Sequence, residues 1–168
     1  SGITFADIER AVRSVFKNLY GSYSIAGLLA GGGLFAFRDP HGIRPLVLGK
    51  KPLANFPRDA TNSATNGSSR YAYLVSSETV PLSLLGYEFE REIAPGELIF
   101  IDRNLKLHSI IIQKERSRPC MFEWVYFASA ESELNNTPVY GARLELGRNL
   151  AKLIRKKIIL SMSIIIKE

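Results

Sequence analysis

Two arginines and an aspartate lie close together in the stretch Phe37–Leu46, which reads Phe-Arg-Asp-Pro-His-Gly-Ile-Arg-Pro-Leu. A guanidinium group makes paired hydrogen bonds to carboxylates, so Arg38 and Arg44 have the chemistry to hold an anionic ligand or to fix another loop. The same residues also suit a structural ion pair, either of Arg38 with Asp39 or of Arg44 with another carboxylate. Because structural pairs are common, the residue types alone favour a brace that orders a turn.

The histidines and the single cysteine have no neighbours that predict catalysis or metal binding. His41 and His108 are far apart and lack cysteines or an acidic cluster at ligand spacing, so each is predicted to be a surface or turn histidine. Cys120 would need a base to act as a nucleophile and further cysteines to bind a metal, so a packed thiol is predicted. One cysteine also excludes an internal disulfide and favours a reducing compartment.

Serine residues offer no better nucleophile. Ser76 and Ser77 precede Glu78 at the end of a predicted strand, where serine is a common helix N-cap and no oriented base is available. Ser1 would need its own amine as the base, but it leads directly into a predicted helix. No catalytic residue is therefore assigned within this chain.

The apolar spacing predicts the elements that position these residues. Apolar residues recur at three- and four-residue steps across residues 4–19, which predicts an amphipathic helix with Thr4 as N-cap and Asp7 completing a capping box. Residues 22–29 and 34–37 flank three glycines and predict a β-hairpin. The charged stretch then follows as a turn.

Strands and two helices are predicted for the remainder, apart from residues 51–69, which are polar and predict a surface insertion. The predicted strands are Leu46–Leu48, Tyr71–Val75, Leu98–Ile101, Leu107–Ile112 and Phe122–Phe127, and the predicted helices are Pro81–Leu85 and Val139–Ile158. This order predicts an α+β layered domain with mostly antiparallel strands.

Composition narrows the class of protein. The 168 residues are 46% hydrophobic and 23% charged, as in soluble globular domains. No apolar run approaches the roughly 18 residues of a membrane helix, and no secretory signal is visible, so we expect no membrane partner and a cytoplasmic location. The net charge is +6, but its one cluster, at residues 152–157, predicts a solvated helix face without a nucleic-acid motif.

Several motifs in a fixed order resemble the amidophosphoribosyltransferase family. Phe37–Gly49 resembles the second half of that family's glutaminase domain. The later matching motifs are Ser77-Glu78, Pro95-Gly-Glu97, Phe122-Glu-Trp-Val-Tyr-Phe127 and Val139-Tyr-Gly-Ala-Arg143 with Gly147. The resemblance runs from Phe5 to Lys157, and the ordered combination is specific.

For the fold, the resemblance implies a partial N-terminal-nucleophile (Ntn) hydrolase αββα sandwich, in which two antiparallel sheets lie between helix layers. It assigns residues 1–138 to a partial glutaminase domain of the type 2 glutamine amidotransferases. Residues 139–157 become a linker helix towards a phosphoribosyltransferase domain. Residues 158–168, with two uncovered apolar clusters, form a divergent tail that suggests a truncated or altered end.

For activity, the resemblance implies an enzyme with two reactions. An N-terminal cysteine hydrolyses glutamine, and the ammonia reacts with phosphoribosyl pyrophosphate to give 5-phosphoribosylamine in the first committed step of de novo purine biosynthesis. The family's glutaminase residues lie upstream of the matched region and its pyrophosphate loops lie beyond Lys157, so the chain alone is expected to be inactive. The complete enzyme is expected to be a homo-oligomer and to use Mg²⁺.

The resemblance also suggests roles for individual residues. The positions expected to support the glutaminase site are Arg38, Asp39, Arg44, Ser77 and Glu78. Tyr140 and Arg143 match positions on the ammonia path or the domain interface. Cys120 matches an iron–sulfur ligand of some members, although its Pro-Cys-Met-Phe-Glu setting is closer to that of cluster-free members.

Two other hypotheses stay open. The family's Ala-Arg-Pro-Asp-Ser is replaced here by Ala128-Ser-Ala-Glu-Ser132, which together with the tail is compatible with a degenerate, non-catalytic interaction module. An asparagine-synthetase-type glutaminase shares the Arg-Asp-x-x-Gly-Ile-x-Pro-Leu turn. It lacks the later motifs, so the block from Tyr140 to Gly147 argues against it.

Overall fold

A computed structural model describes residues 3–53 and 71–165, with side chains as far as residue 158. The chain divides into two compact units, residues 1–120 and residues 121–168. The helices are α1 (Phe5–Asn18), α2 (Val80–Leu84) and α3 (Val139–Ile165), and a π-helical turn covers Glu123–Phe127. The strands are β1 (Ser24–Leu29), β2 (Gly33–Arg38), β3 (Val47–Pro52), β4 (Tyr71–Ser76), β5 (Glu88–Glu92), β6 (Glu97–Asp102), β7 (Leu107–Ile111), β8 (Glu133–Leu134) and β9 (Thr137–Pro138).

Two antiparallel sheets form the first unit. One has the strand order β1-β2-β6-β7 and the other β4-β3-β5. Successive side chains of a strand point to opposite faces, so Leu98 and Phe100 of β6 pack with α1. Ile99 and Ile101 face the other way and share a buried cluster with Leu48 of β3, which forms the core between the sheets. The α+β class with antiparallel strands is therefore confirmed.

Helix α1 begins at the predicted capping box. The Asp7 amide donates to Thr4 Oγ1 at 3.4 Å, and the Thr4 amide donates to Asp7 Oδ2 at 3.0 Å. Its apolar stripe buries Ile8, Val12 and Phe16 against the four-stranded sheet. The hairpin predicted next is β1–β2, with Ser24 opposite Arg38 at its open end.

The strand predicted at Phe122–Phe127 is wrong, because this segment is a π-helical turn over Glu123–Phe127. Its backbone bonds locally, with the Ala128 amide donating to the Glu123 carbonyl at 3.0 Å. Aromatic and β-branched residues favour strands only where a partner strand completes the ladder. Here Tyr126 and Phe127 are exposed instead.

The structure also differs from the sequence-based predictions in one highly charged strand and in the bounds of two elements. The apolar pattern misses β5, whose sequence is Glu-Phe-Glu-Arg-Glu, because its pairing with β3 rather than apolar alternation forms it. The predicted surface insertion overlaps β3, which includes Lys51 and Pro52, and residues 54–70 lie outside the described residues.

Helix α3 is longer than the predicted helix, which ended at Ile158, and it continues to Ile165. Within residues 3–53 and 71–165, no helix has the length and apolarity needed to cross a membrane.

The turn between β5 and β6 contains a glycine that tolerates no side chain. Gly96 has φ +69°, and a Cβ there would lie 1.7 Å from the Gln113 carbonyl oxygen. We expect Gly96→Ala to lower the free energy of unfolding by about 2–4 kcal/mol, measured by urea denaturation followed by circular dichroism. Gly21→Ala is the matched control, since Gly21 also has a positive φ but its Cβ would meet no described atom within 4 Å. Equal losses in the two variants would contradict the steric explanation.

Candidate functional site

Arg38, the last residue of β2, is buried and turned towards backbone carbonyls. Its Nε donates to the Arg44 carbonyl at 2.6 Å, Nη1 to the Ile93 carbonyl at 2.9 Å and Nη2 to the Gly42 carbonyl at 2.8 Å. Nη1 also lies 3.7 Å from Glu92 Oε2. The guanidinium is 3% exposed, so it braces the loop and is not offered to a ligand from solvent.

Asp39 holds the same loop from its other side. Its Oδ1 accepts from the His41 amide at 3.0 Å, and Oδ2 accepts from the Ile43 amide at 2.9 Å and the Arg44 amide at 3.4 Å. The residue is fully buried. Burial and the nearby Asp39 carboxylate both raise the pKa of the Tyr23 hydroxyl. The direct Arg38–Asp39 pair considered from the sequence is replaced by two separate sets of contacts with the backbone.

Residues 116–120 run alongside this loop. The Arg118 amide donates to the His41 carbonyl at 2.8 Å, and the Cys120 amide donates to the Ile43 carbonyl at 2.9 Å. His41 Nδ1 lies 3.0 Å from the Arg116 carbonyl, which can only accept, so Nδ1 carries the proton. His41 is thus a turn histidine with a structural contact.

The buried carboxylate of Glu97, from the Pro95-Gly-Glu97 motif, joins the two sheets. Glu97 on β6 accepts two hydrogen bonds from Arg91 of β5, at 2.7 and 2.8 Å, and one from the Ser109 hydroxyl of β7 at 2.5 Å. The Ala94 amide donates to it at 2.7 Å. Burial alone would raise the pKa of Glu97, but these donors outweigh it and lower the pKa below its ordinary value. The sequence marks Glu97 by its motif and by its place as the one acid at the start of an apolar strand, but it does not reveal these partners.

His108 also has a partner that sequence spacing does not reveal. The hairpin β6–β7 brings its Nε2 within 2.9 Å of Asp102 Oδ2, and its ring stacks on Phe5 at a centroid distance of 5.4 Å. Burial tends to raise the pKa of Asp102, but hydrogen bonds from His108 and from two backbone amides lower it. His108 is therefore a half-buried strand residue, which corrects the prediction of a surface or turn histidine.

Curated relatives share one name across bacteria and yeast. The chain is 39% identical over 152 residues to an amidophosphoribosyltransferase of Haemophilus influenzae, and 36% identical over 152 residues to that of Escherichia coli. It is 35% identical over 163 residues to the Schizosaccharomyces pombe enzyme, and each alignment covers 90% of this chain. The chain is similar to one region of each of these amidophosphoribosyltransferases. It spans 27–28% of the length of these relatives, and no protein-family model matches it.

Two solved structures share the fold of this chain. The glutamine phosphoribosylpyrophosphate amidotransferase of B. subtilis, complexed with ADP and GMP, superposes with a TM-score of 0.66 at 25% identity. A second structure, described as the allosteric regulatory enzyme of purine biosynthesis, gives a TM-score of 0.67 at 25% identity. Both matches cover 90% of this chain, and 29% and 28% of those chains.

Ser77 and Glu78, which the resemblance predicts to support a glutaminase site, follow β4. Ser77 is exposed and Glu78 is half-buried. The N-cap of α2 is Thr79 rather than a serine, and its side chain makes no cap hydrogen bond. Ser76 Oγ instead accepts from the Glu78 amide at 3.4 Å. The supporting role of this pair in the glutaminase site stays a prediction.

In the second unit, Arg143 and Tyr140 differ in their surroundings. Arg143 Nε donates to the Trp124 carbonyl at 2.8 Å, and Nη2 donates to the Ala128 carbonyl at 2.7 Å, so it ties α3 to the π-helical turn. The Tyr140 side chain is 59% exposed. An exposed tyrosine beside an anchored arginine is compatible with the predicted ammonia path or domain interface, which stays a prediction.

The described residues offer no cluster of side chains suited to binding a metal ion. Residues 3–53 and 71–158 contain no group of three or more His, Cys, Asp or Glu side chains that could hold a metal ion. An iron–sulfur cluster needs four ligands, typically cysteines, whereas this chain contains only Cys120. The residues of this chain therefore do not fit a cluster by themselves.

Proposed function

We propose that this chain forms the second part of the glutaminase domain of an amidophosphoribosyltransferase. In the complete enzyme, glutamine would supply ammonia, which would react with phosphoribosyl pyrophosphate to give 5-phosphoribosylamine for purine biosynthesis. The observation that carries the proposal is the 39% identity over 152 residues, together with the shared fold. A cytoplasmic location, homo-oligomeric assembly and a Mg²⁺ requirement of the complete enzyme belong to the same proposal.

Within that enzyme, the residues of this chain would hold the glutaminase site in place and would not take part in the reaction themselves. Arg38 and Asp39 are buried, and their side chains form hydrogen bonds with backbone groups, as a rigid support requires. Preorganised sites need such support, because small displacements of reacting groups lower the rate strongly. The isolated chain would then neither hydrolyse glutamine nor consume phosphoribosyl pyrophosphate.

A chimera tests the proposal directly. The matching 152 residues of the Escherichia coli amidophosphoribosyltransferase are replaced by those of this chain, and glutaminase and phosphoribosylamine formation are measured. We expect a folded chimera with both activities, while the isolated chain has neither. A folded, oligomeric chimera without glutaminase activity would contradict the assignment.

Assays of the isolated chain test whether it contains an active site of its own. Glutamate release from glutamine is measured for the wild type and for Ser1→Ala and Cys120→Ala. We expect no activity above background in any of the three. Activity in the wild type that either substitution abolishes would place a nucleophile within this chain and overturn the supporting role.

A further inference from the structure

The turn between β5 and β6, residues 93–96, holds the charged loop that begins with Arg38 and Asp39. The Ile93 carbonyl accepts a hydrogen bond from Arg38 Nη1 at 2.9 Å. The Gly96 amide donates to the Asp39 carbonyl at 3.0 Å. This segment, which we call the β5–β6 turn, therefore binds both of the buried residues to which a supporting role is assigned.

The β5–β6 turn also fits closely against the middle of the charged loop. Gly42 has φ +60°, and a Cβ at this position would lie 2.7 Å from Pro95 Cγ. The Gly96 carbonyl in turn accepts a hydrogen bond from the Ile112 amide at 2.9 Å. Closely packed groups have little room to absorb a displacement, so a change in the conformation of the turn is passed on to the loop.

The side chain of Glu97 closes the β5–β6 turn at its base. Its Oε2 accepts from the Ala94 amide, inside the turn, at 2.7 Å, and its two oxygens accept from Arg91 of β5 at 2.7 and 2.8 Å. Arg91 Nη1 also donates to the Glu92 carbonyl at 3.1 Å. Glu97 is 3% exposed, so water competes little for these contacts. One carboxylate therefore ties both ends of the turn together.

Apolar packing alone would not fix this geometry. Burial of apolar surface is non-directional, and apolar side chains of similar volume often replace a buried ion pair without loss of stability. Hydrogen bonds have preferred distances and angles, so a carboxylate that joins Arg91 to the Ala94 amide sets the conformation of the turn. The chemistry of Glu97 therefore suits a positioning role, which stability by itself does not require.

We infer that Glu97 is a positioning residue for glutamine hydrolysis in the complete enzyme. Through the β5–β6 turn, it holds the loop of Arg38 and Asp39 in the conformation that supports the glutaminase site. Glu97 acts through this loop and does not touch the substrate. The inference rests on the proposed function, and it gives the Pro95-Gly-Glu97 motif a role within that function.

A double variant, Arg91→Met with Glu97→Leu, separates positioning from stability. It replaces the ion pair by apolar side chains and removes the carboxylate that accepts from the backbone of the β5–β6 turn. Because an apolar pair can fill the same space, we expect the urea midpoint of the double variant to stay close to that of the wild type.

Hydrogen exchange measured by NMR reports on the loop in the full chain. The His41 and Ile43 amides donate to the Asp39 carboxylate, so their exchange is slow only while the loop keeps its conformation. In the double variant we expect these two amides to exchange about tenfold faster. The Val12 amide of α1 should keep its rate, because the fold as a whole is retained.

The chimera with the Escherichia coli amidophosphoribosyltransferase measures the effect on the reaction. With the double variant, we expect the glutaminase kcat to fall about tenfold while KM for glutamine is unchanged. Phosphoribosylamine formation from added ammonia should stay as it was, because it does not need glutamine hydrolysis. A purely structural role for Glu97 would instead lower both activities together.

Glu90→Gln is the control, since it neutralises a carboxylate of β5 that pairs with Lys50 outside the turn, and it should change neither the loop exchange nor kcat. If the double variant does not fold, Glu97→Gln is judged by the same criteria. Unchanged loop exchange, an unchanged kcat or a parallel loss of both activities would each overturn the inference. A folded chimera that lacks glutaminase activity before any substitution overturns the proposed function, and this inference with it.

Discussion

Replacing Arg38 by methionine is expected to lower the free energy of unfolding by about 3–5 kcal/mol. The substitution keeps an apolar stem of similar reach, but it removes the donors to the carbonyls of Gly42, Arg44 and Ile93. The Gly42 and Ile93 carbonyls then lose this donor, the Arg44 carbonyl keeps only the Ser24 hydroxyl at 3.2 Å, and Glu92 loses a cation 3.7 Å away. Urea denaturation followed by far-ultraviolet circular dichroism measures the loss.

Arg13→Met is the control for the Arg38 variant. Arg13 pairs with Glu9 at 2.7 Å on the surface of α1, where its side chain is 44% exposed. Exposed pairs of this spacing contribute about 0.3–0.5 kcal/mol, so this variant should unfold almost as the wild type does. A loss below about 1 kcal/mol for Arg38→Met would show that its contacts do not brace the fold.

Replacing Glu97 by glutamine is expected to destabilise the first unit by about 2–3 kcal/mol at neutral pH. The neutral amide no longer matches the two Arg91 donors and the Ser109 hydroxyl that surround the buried carboxylate. Because Arg91 belongs to the three-stranded sheet and Ser109 to the four-stranded sheet, the change weakens the connection between the two sheets.

The same residue predicts how stability depends on pH. The pKa of Glu97 is lower in the folded chain than the ordinary value of 4.5. A group with a lowered folded pKa contributes stability that is complete above the unfolded pKa and disappears as the pH falls through the folded pKa. The difference between wild type and Glu97→Gln should therefore be constant near neutral pH and shrink below about pH 4.5.

The lowered pKa values of Asp7 and Asp102 affect both proteins equally, so they cancel in this difference. Glu90→Gln is the matched control, since Glu90 lies on β5 and pairs with Lys50 at a partly exposed position. We expect Glu90→Gln to change stability by less than about 1 kcal/mol and to leave the acid dependence intact. A pH-independent difference between wild type and Glu97→Gln would refute the buried-carboxylate explanation.

The amino-acid sequence by itself determined the local elements whose pattern is regular. The stripe of α1 and its Thr4–Asp7 box follow from spacing and capping chemistry, because both act within a few residues. The glycine-centred β1–β2 hairpin follows in the same way. The ordered motifs were also sufficient to indicate the enzyme family, since their residue types and order were readable without a fold.

The tertiary structure alone decided which polar residues act together. Arg38 meets Ile93 and Glu92, and Arg91, Glu97 and Ser109 converge, only because two sheets stack and a hairpin folds back. Sequence spacing carries no record of such long-range partners. For the same reason the Phe122–Phe127 segment, which has strand-forming residues but pairs with no strand among the described residues, forms a π-helical turn. The secondary-structure propensity of a segment predicts its structure only where side-chain packing and strand pairing favour the same structure.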